Sequence, residues 1–266
     1  MSVKDKIALV TGAGQGIGQG IALRFAEAGA KVVVADLSSE GISDTVEKIQ
    51  SKGGDCLAVN ADVSKSSDVK AMVDQTVDKY GTLDILVNNA GIVKTAPIMD
   101  LSEEDWDVVM DVDLKGPFLC SKYAAKVMVP NKQGWIINIS SVAGHEPNPD
   151  VGSYGPAKAG VLMLTKQCAI EWGRYNIRVN SISPGLIRTP INPAYEDSEV
   201  RNARSNQIPL GRLGSPEDIA KVAVMLASDE TGYVTGCDIQ VDGGYLRNFQ
   251  EFLPGRLSAR NLKTGK

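Results

Sequence analysis

The sequence predicts an α/β protein in which one doubly wound parallel sheet forms a single domain. Apolar runs that suit buried strands alternate with segments of helical periodicity along most of the 266 residues, and this alternation is typical of parallel sheets with helices on both faces. The continuous, β-branched run KVVVAD at Lys31–Asp36 is typical of a strand that is buried on both faces. No linker, internal repeat or low-complexity tract marks a domain boundary.

The individual elements follow in order along the chain. Strands are predicted at residues 6–11, 31–36, 56–60, 84–88, 134–140, 177–182 and 238–241. Helices are predicted at about 16–29, 39–52, 65–80, 103–129 and 153–173, and one more begins at Ser215-Pro216-Glu217, a sequence typical of helix caps. Two segments do not fit the pattern: the polar stretch 190–209, interpreted as a mobile substrate lid, and a C-terminal tail at 246–266.

The composition argues against several classes of protein. The net charge of −4, with no basic stripe, does not suit a nucleic-acid-binding protein. The longest apolar runs are far shorter than the about 20 residues of a membrane-spanning helix, and the N-terminus lacks the apolar core of a secretion signal. We therefore expect a cytoplasmic protein that binds neither nucleic acid nor a membrane.

The cysteine and histidine content is unsuited to metal chemistry. The 4 cysteines lie far apart, with no C-x-x-C pair, and His145 is the single histidine. Zinc sites and dithiol redox sites need closely spaced thiols or several histidines, so we expect reduced thiols and no bound metal. A Ser-His-Asp hydrolase is disfavoured as well, because no G-x-S-x-G sequence presents a serine.

A glycine-rich turn, TGAGQGIG at residues 11–18, lies between the first predicted strand and the first predicted helix. Glycine lets the backbone turn tightly and approach a pyrophosphate, while the N-terminus of a helix offers free N–H groups. The turn departs from the strict G-x-G-x-x-G pattern, because Ile17 occupies the third glycine position, and it lacks the Gly-Lys of a Walker A loop. Its place between strand and helix favours a dinucleotide site; a purely structural turn is the alternative.

Asp36 ends the second predicted strand, downstream of the glycine turn. A carboxylate there can accept hydrogen bonds from the hydroxyls of an adenosine ribose and would repel a 2′-phosphate. The alternative roles for Asp36 are a helix cap or a solvated turn. Together, the glycine turn and Asp36 favour NAD over NADP as the cofactor.

Several motifs together resemble the short-chain dehydrogenase/reductase family. They are TGAGQGIG at 11–18, Asn88-Asn89-Ala90-Gly91, Ser141, Tyr154-x-x-x-Lys158 and Pro184-Gly185, in the order and spacing of that family, and the similarity covers residues 5–245. The resemblance implies a Rossmann-like, seven-stranded parallel sheet with the active site at the carboxyl edge of the strands.

The chemistry of the central motif can be argued from the residues. Tyr154 and Lys158 stand one helical turn apart, so their side chains share one face of a predicted helix. A phenol in water loses its proton near about pH 10, and a neighbouring ammonium favours the phenolate. Ser141, at the end of a predicted strand, can donate a hydrogen bond to a substrate oxygen. The resemblance assigns the same roles: Tyr154 as proton donor or acceptor, Ser141 as substrate stabiliser, and Lys158 as an additional ligand of the nicotinamide ribose.

The resemblance further implies a set of cofactor contacts. The glycine turn would hold the pyrophosphate, and the loops after the later strands would contact the adenine and the nicotinamide. The implied cofactor-binding residues are Gly12, Gln15, Gly16, Ile17, Gly18, Asp36, Asp62, Val63, Asn89, Gly91, Tyr154, Lys158, Pro184, Gly185, Ile187 and Thr189.

The predicted long helix departs from the family pattern at Asp113, where the family usually has asparagine. The resemblance implies that this catalytic position helps to hold a water near the lysine, largely through its backbone carbonyl. An aspartate would keep the carbonyl and add a negative charge near Lys158. We therefore expect a working but retuned proton relay.

The substrate is weakly encoded. Polar residues occur after Ser141, among them His145 and Glu146, and in the lid, among them Asn192; each could bind a sugar or polyol or could simply face solvent. The favoured function is an NAD-dependent dehydrogenase of a sugar, a polyol or another small secondary alcohol. Two alternatives stay open: a 3-oxoacyl thioester reductase, which in this family normally uses NADPH and binds an acyl carrier protein, and a non-catalytic dinucleotide-binding regulator.

The helices predicted at 103–129 and 153–173 have apolar and small residues on more than one face. This exceeds the single stripe that a core-facing helix needs, and it indicates burial against another subunit. We therefore expect a homo-oligomer, a tetramer or a dimer, as the resemblance also implies.

Overall fold

The computed structural model describes residues 3–248, which contain one seven-stranded sheet with parallel pairing throughout. The strands are β1 (Ile7–Thr11), β2 (Lys31–Asp36), β3 (Cys56–Asn60), β4 (Ile85–Asn88), β5 (Gly134–Ile139), β6 (Ile177–Pro184) and β7 (Asp238–Val241). Their order across the sheet is β3-β2-β1-β4-β5-β6-β7. The chain reverses its direction of winding between β1 and β4, the switch point at which open α/β sheets bind ligands. The predicted doubly wound, Rossmann-like sheet is confirmed.

Helices cover both faces of the sheet. Within residues 3–248 they are α1 (Gly16–Glu27), α2 (Ser39–Gln50), α3 (Ser66–Tyr80), α4 (Glu103–Met110), α5 (Gly116–Asn131), α6 (Tyr154–Trp172), α7 (Ser198–Ser205) and α8 (Pro216–Ala227). A π-helical turn, Asp111–Lys115, joins α4 to α5, so the helix predicted at 103–129 is continuous but contains a wider turn. In this part of the chain no helix is both long enough and apolar enough to cross a membrane.

Two apolar clusters fill the space between the sheet and its helices. In β1, Ala8 and Val10 belong to one cluster and Leu9 to the other, because successive side chains of a strand point to opposite faces. Phe25 of α1 is buried in the first cluster and Met128 of α5 in the second. Every residue of β1, β4, β5 and β6 is buried, as expected for the inner strands of a parallel sheet that is covered on both faces.

The segment 190–209 contains more regular structure than its sequence predicts. Helix α7 occupies its middle, and Asp197 caps this helix by accepting hydrogen bonds from the backbone N–H groups of Glu199 and Val200 at 2.7 and 3.1 Å. No residue of α7 is buried, so no apolar stripe reveals the helix in the sequence. Of the predicted tail 246–266, residues 249–266 lie outside the described part of the chain.

The four cysteines are unpaired. Cys56, Cys120 and Cys168 are buried and Cys237 is exposed. Burial raises the pKa of Cys120 and of Cys168 to about 12, so these thiols stay protonated at neutral pH. Among residues 3–248 no group of histidine, cysteine and carboxylate side chains is arranged to hold a metal ion.

Candidate active site

A cavity of about 370 Å³ runs along the carboxyl edge of the sheet. Because the carboxyl ends of parallel strands meet at one edge, residues that are distant in the sequence converge there. The ends of β1 to β6 each contribute to its lining, with Gly12, Asp36, Asp62, Asn89, Ser141 and Gly185 in that order. A wider groove of about 580 Å³, between α1 and α8, contains none of the predicted catalytic residues.

The glycine turn lines this cavity with its backbone. Gly12 and Gly16 have φ angles of +62° and +56°, in the left-handed region that favours glycine. A Cβ on Gly12 would lie 2.8 Å from the Cα of Ala90, so a side chain there has no room. Helix α1 begins at Gly16 without a side-chain cap, which leaves its first N–H groups available to an anion such as a pyrophosphate. The neighbouring Gln15 and Ile17 also line the cavity.

Gly18 has a packing role instead of a place on the cavity wall. A Cβ on this residue would lie 2.0 Å from the carbonyl oxygen of Gly12 and 2.4 Å from Nδ2 of Asn89. Gly18 therefore serves the close approach of α1 to the turn, and its predicted cofactor contact stays a prediction. Asn89 does line the cavity, and its Nδ2 donates to the carbonyl oxygens of Thr11 and Gly12 at 3.0 Å each.

Two carboxylates lie at the end of the cavity that the glycine turn forms. Oδ2 of Asp36 accepts a hydrogen bond from Gly14 N at 2.8 Å, and its Oδ1 accepts one from Ser38 N at 2.9 Å. Burial alone would raise the pKa of Asp62, but hydrogen bonds from Ser64 and Lys65 outweigh burial and lower that pKa. Asp36 is thus held by the glycine turn and by its own loop, Asp62 is held by its own loop, and both carboxylates line the cavity.

The predicted catalytic side chains lie together at the other end. Tyr154 is the first residue of α6, Lys158 lies one turn later, and Ser141 follows β5; all three line the cavity. Nζ of Lys158 is 5.4 Å from the centre of the Tyr154 ring. The Ser141 hydroxyl accepts a hydrogen bond from Ala143 N at 3.1 Å, which fixes its position at the start of a one-turn helix. Its neighbour Ser140 instead donates to the carbonyl oxygen of Lys158 at 2.9 Å.

Lys158 is buried and paired with Asp113. Its Nζ donates to the carbonyl oxygen of Ile139 at 3.1 Å and lies 3.1 Å from Oδ2 of Asp113. Burial, the largest single effect, lowers the pKa of Lys158, but the charge of Asp113, the interaction with Tyr154 and the hydrogen bond to Asp113 together outweigh burial and raise that pKa. Lys158 therefore carries its positive charge inside the protein at neutral pH, beside the Tyr154 ring.

Known proteins share this architecture. A family model described as enoyl-(acyl carrier protein) reductase matches residues 12–246. The chain is 41% identical over 244 residues to the 3-oxoacyl-(acyl-carrier-protein) reductase FabG of Thermotoga maritima, across 92% of this chain and 99% of that relative. It is 43% identical over 247 residues to the (2S)-((R)-hydroxy(phenyl)methyl)succinyl-CoA dehydrogenase subunit BbsD of Thauera aromatica, across 92% and 98%.

The chain belongs to the short-chain dehydrogenase/reductase family. A solved structure from Agrobacterium tumefaciens with bound NADP, provisionally described as a 2-deoxy-D-gluconate 3-dehydrogenase, is 41% identical and covers 92% of this chain and 98% of its own, with a TM-score of 0.85. Membership makes the protein an oxidoreductase that acts on CH–OH groups with a nicotinamide cofactor.

The cavity of this short-chain dehydrogenase/reductase also contains most of the other predicted cofactor contacts. Apart from Gly18, every residue that the resemblance implied lies on its wall. Those not yet placed are Val63, Gly91, Pro184, Ile187 and Thr189. Thr189 also faces the glycine turn, since a Cβ added to Gly16 would lie 3.4 Å from the Cβ of Thr189. The site is therefore one continuous surface from the turn to Tyr154.

The structure separates the three residues that were predicted to bind substrate. Asn192 lines the cavity. Nε2 of His145 instead lies 2.9 Å from Oδ2 of Asp238 and 3.1 Å from Oγ of Ser183, so the imidazole is directed to β7. Glu146 lines a different cavity, of about 350 Å³. Of the three, only Asn192 therefore lies on the wall of this cavity, and the substrate contacts of all three stay predictions.

Sequence reasoning missed several apolar residues of the cavity wall, among them Ile92, Val112 and Ile191. They belong to loops or helix ends whose side chains look like ordinary core residues in the sequence. The nearest available signal was their position: Ile92 directly follows the Asn88–Gly91 motif, and Ile191 follows the loop at Pro184. Together with Asn192 they give the cavity a mixed apolar and polar wall.

Proposed function

We propose that this protein is an NAD(H)-dependent oxidoreductase that interconverts a secondary alcohol and a ketone, with a 3-oxoacyl thioester as the first candidate substrate. One observation carries the proposal: Asp36 and the Ser141–Tyr154–Lys158 set lie at opposite ends of one cavity. Such a cavity suits an extended dinucleotide. It offers a carboxylate for the adenosine ribose, an anion site at the start of α1 for the pyrophosphate, and a proton donor beside the nicotinamide.

The residues present fit the cofactor, because α1 begins beside the cavity without a side-chain cap, which leaves backbone N–H groups for a pyrophosphate. The turn would hold the pyrophosphate, Asp36 the adenosine ribose, and Lys158 together with Tyr154 the nicotinamide ribose. The bound nicotinamide supplies the hydride in reduction and accepts it in oxidation. This division leaves the proton to the protein.

The catalytic side chains divide the remaining work. In reduction, Ser141 and Tyr154 donate hydrogen bonds to the carbonyl oxygen, and Tyr154 passes its proton to that oxygen as the alcohol forms. The ammonium of Lys158 then stabilises the phenolate that remains. In oxidation, the same phenolate accepts the proton of the alcohol. Ser141 can keep its direction during both steps, because Ala143 N already fixes the hydroxyl oxygen.

The preference for NAD rests on charge at the adenosine end of the cavity. Among the described lining residues, Lys158 is the only one with a positively charged side chain, and it lies at the catalytic end. A 2′-phosphate would therefore meet the Asp36 carboxylate with no arginine or lysine of the lining to compensate it. The NADP bound by the related Agrobacterium tumefaciens protein makes the measurement of both cofactors necessary.

The relatives favour the thioester substrate over the sugar or polyol that the loop residues suggested. The FabG relative acts by name on 3-oxoacyl groups of an acyl carrier protein, and the BbsD relative on a CoA thioester. The apolar side chains of Ile92, Val112 and Ile191 suit an acyl group. A sugar acid is the second candidate, supported by Asn192 on the wall and by the similarity to the Agrobacterium tumefaciens protein that is provisionally described as a 2-deoxy-D-gluconate 3-dehydrogenase.

Initial rates with purified protein test the function. We expect reduction of acetoacetyl-CoA with NADH at a kcat/KM about tenfold or more above that with NADPH, since Asp36 opposes a 2′-phosphate. Gluconate, 2-deoxygluconate, hexoses and polyols are assayed with NAD in parallel. Turnover of these alone would move the assignment to the second candidate, and equal use of both cofactors would contradict the role of Asp36. Binding of NADH without any turnover would favour the regulator.

A homo-oligomer is proposed from the outer face of α5 and α6. Phe118, Met163 and Ile170 on these helices are 45%, 62% and 81% exposed, although they are apolar. Exposed apolar surface of this kind marks association sites. We expect light scattering to give a dimer or tetramer, and Ile170→Glu to weaken it. Met99→Glu, at an apolar residue that precedes α4 and is 93% exposed, is the control and should leave the mass unchanged.

A further inference from the structure

The Asp113 carboxylate is a buried charge that the transfer of hydride and proton does not itself use. Its exposed fraction is 0%, and its Oδ2 lies 3.1 Å from Nζ of Lys158. Its Oδ1 accepts a hydrogen bond of 2.8 Å from Ile92 N. Asp113 thereby links the π-helical turn both to the loop after β4, through Ile92, and to α6, through Lys158.

Lys158 has no second carboxylate partner among residues 3–248. Its side chain is 4% exposed, and its other contact for Nζ is the neutral carbonyl of Ile139. A buried ammonium without a counter-ion tends to lose its proton, because burial disfavours the charged form. The one carboxylate at Nζ is therefore what keeps the charge of Lys158 inside the protein.

The other charged groups around this pair are compensated elsewhere. The titratable side chains on the cavity wall are Asp36, Asp62, Asp113, Tyr154 and Lys158. Asp36 accepts hydrogen bonds from Gly14 N and Ser38 N, and Asp62 pairs with Lys65 at 3.2 Å. On the π-helical turn, Asp111 pairs with Lys115 at 3.0 Å, and between the loop after β4 and α4, Lys94 pairs with Asp105 at 3.3 Å.

We propose that Asp113 is a positioning residue that acts as the fixed counter-ion of Lys158 and makes the pair electrically neutral toward Tyr154. Lys158 stays an ammonium across the working range of pH, but its field at the Tyr154 hydroxyl is partly cancelled by the carboxylate beside it. The paired ammonium then stabilises the phenolate form of Tyr154 less than an unpaired ammonium would. The kinetic part of this inference rests on the proposed function; the stability part does not.

The stability of Asp113→Asn tests the counter-ion without any substrate. The variant leaves the ammonium unpaired, so we expect Tm near pH 7 to fall by about 10 °C. An unpaired, buried lysine has its pKa lowered below the unfolded value of about 10.4, and its penalty fades as the pH rises toward that value. In the wild type the pKa of Lys158 is raised, so the ion pair with Asp113 continues to stabilise the folded protein between pH 7 and about pH 10. The Tm deficit should therefore shrink by about half between pH 7 and pH 10.

Asp111→Asn is the matched control. It makes the same chemical change on the same π-helical turn, at an exposed side chain that pairs with Lys115 outside the cavity. We expect its Tm to stay within about 2 °C of the wild type at both pH values. If Asp113→Asn does not accumulate as folded protein, the double variant Asp113→Asn/Lys158→Met should restore folding, because it leaves no unpaired charge. Failure of the double variant to fold would overturn the counter-ion role.

The pH profile of catalysis tests the effect on Tyr154. Removing a negative charge makes the loss of one proton from the Tyr154–Lys158 pair easier, whichever member releases it. In Asp113→Asn we therefore expect the acidic limb of kcat/KM for alcohol oxidation, and the alkaline limb for ketone reduction, to move to lower pH by about one unit. Asp111→Asn should move neither limb.

The outcomes separate this inference from the proposed function. A Tm deficit that is constant with pH, or limbs that stay in place while the rates fall, would show that Asp113 acts only by packing. If the wild type turns over no substrate, the proposed function fails, and the pH dependence of Tm still decides the counter-ion role.

Discussion

Tyr154→Phe is expected to lower kcat by a factor of about 10³ while raising the Kd for NADH by no more than about tenfold, since a single hydrogen bond to the nicotinamide ribose is lost. The substitution removes only the hydroxyl, so the ring at the start of α6 stays in place beside Lys158. Without the hydroxyl, no side chain at this end of the cavity can pass a proton to the carbonyl oxygen in the same position. Initial rates with the best substrate measure kcat, and NADH fluorescence measures the Kd.

A matched control is available on α5. Tyr123→Phe makes the same change at a tyrosine whose hydroxyl pairs with Oγ of Ser66, at 2.9 Å, away from the cavity. Its kcat should stay within about twofold of the wild type, in line with the small effects of exposed hydrogen bonds. A Tyr154→Phe enzyme that kept a tenth or more of the wild-type kcat would remove the tyrosine from the role of acid and base.

Asp36→Asn is expected to lower kcat/KM with NAD by about 10- to 100-fold and to raise it with NADP. Hydrogen bonds to a charged acceptor contribute about 1.5–3 kcal/mol, and the amide keeps the shape of the carboxylate while losing its charge. The same neutralisation removes the repulsion of a 2′-phosphate. Steady-state kinetics with both cofactors measure the ratio directly, and NADH and NADPH binding by fluorescence confirm that the change lies in recognition.

The Asp36 experiment also needs a control, because the carboxylate accepts hydrogen bonds from Gly14 N and Ser38 N. Asp44→Asn on α2 changes an exposed aspartate that pairs with Lys48 and does not line the cavity. It should leave the preference for NAD unchanged. If Asp36→Asn lost NAD and NADP efficiency in equal proportion, the carboxylate would be holding the turn and not selecting the cofactor.

Much of the architecture was determined by the sequence itself. The continuous, β-branched run within Lys31–Asp36 predicts a buried parallel strand, because a strand in a sheet that is covered on both faces has no solvent-facing side. The positive φ angles in the glycine turn, and the shared helix face of Tyr154 and Lys158, are likewise local properties of short segments. Since these features depend on neighbours within a few residues, periodicity and spacing suffice to predict them.

Contacts between distant segments were decided only by the tertiary structure. His145 was predicted to contact the substrate, and its imidazole pairs with Asp238 on β7. Gly18 was predicted to contact the cofactor, and it packs against the carbonyl of Gly12. The sequence places a carboxylate near Lys158, but the direct pairing of Asp113 with its Nζ depends on how the π-helical turn meets α6. Parallel strands bring their ends together across crossovers, so which side chains meet at that edge is set by packing over the whole sheet.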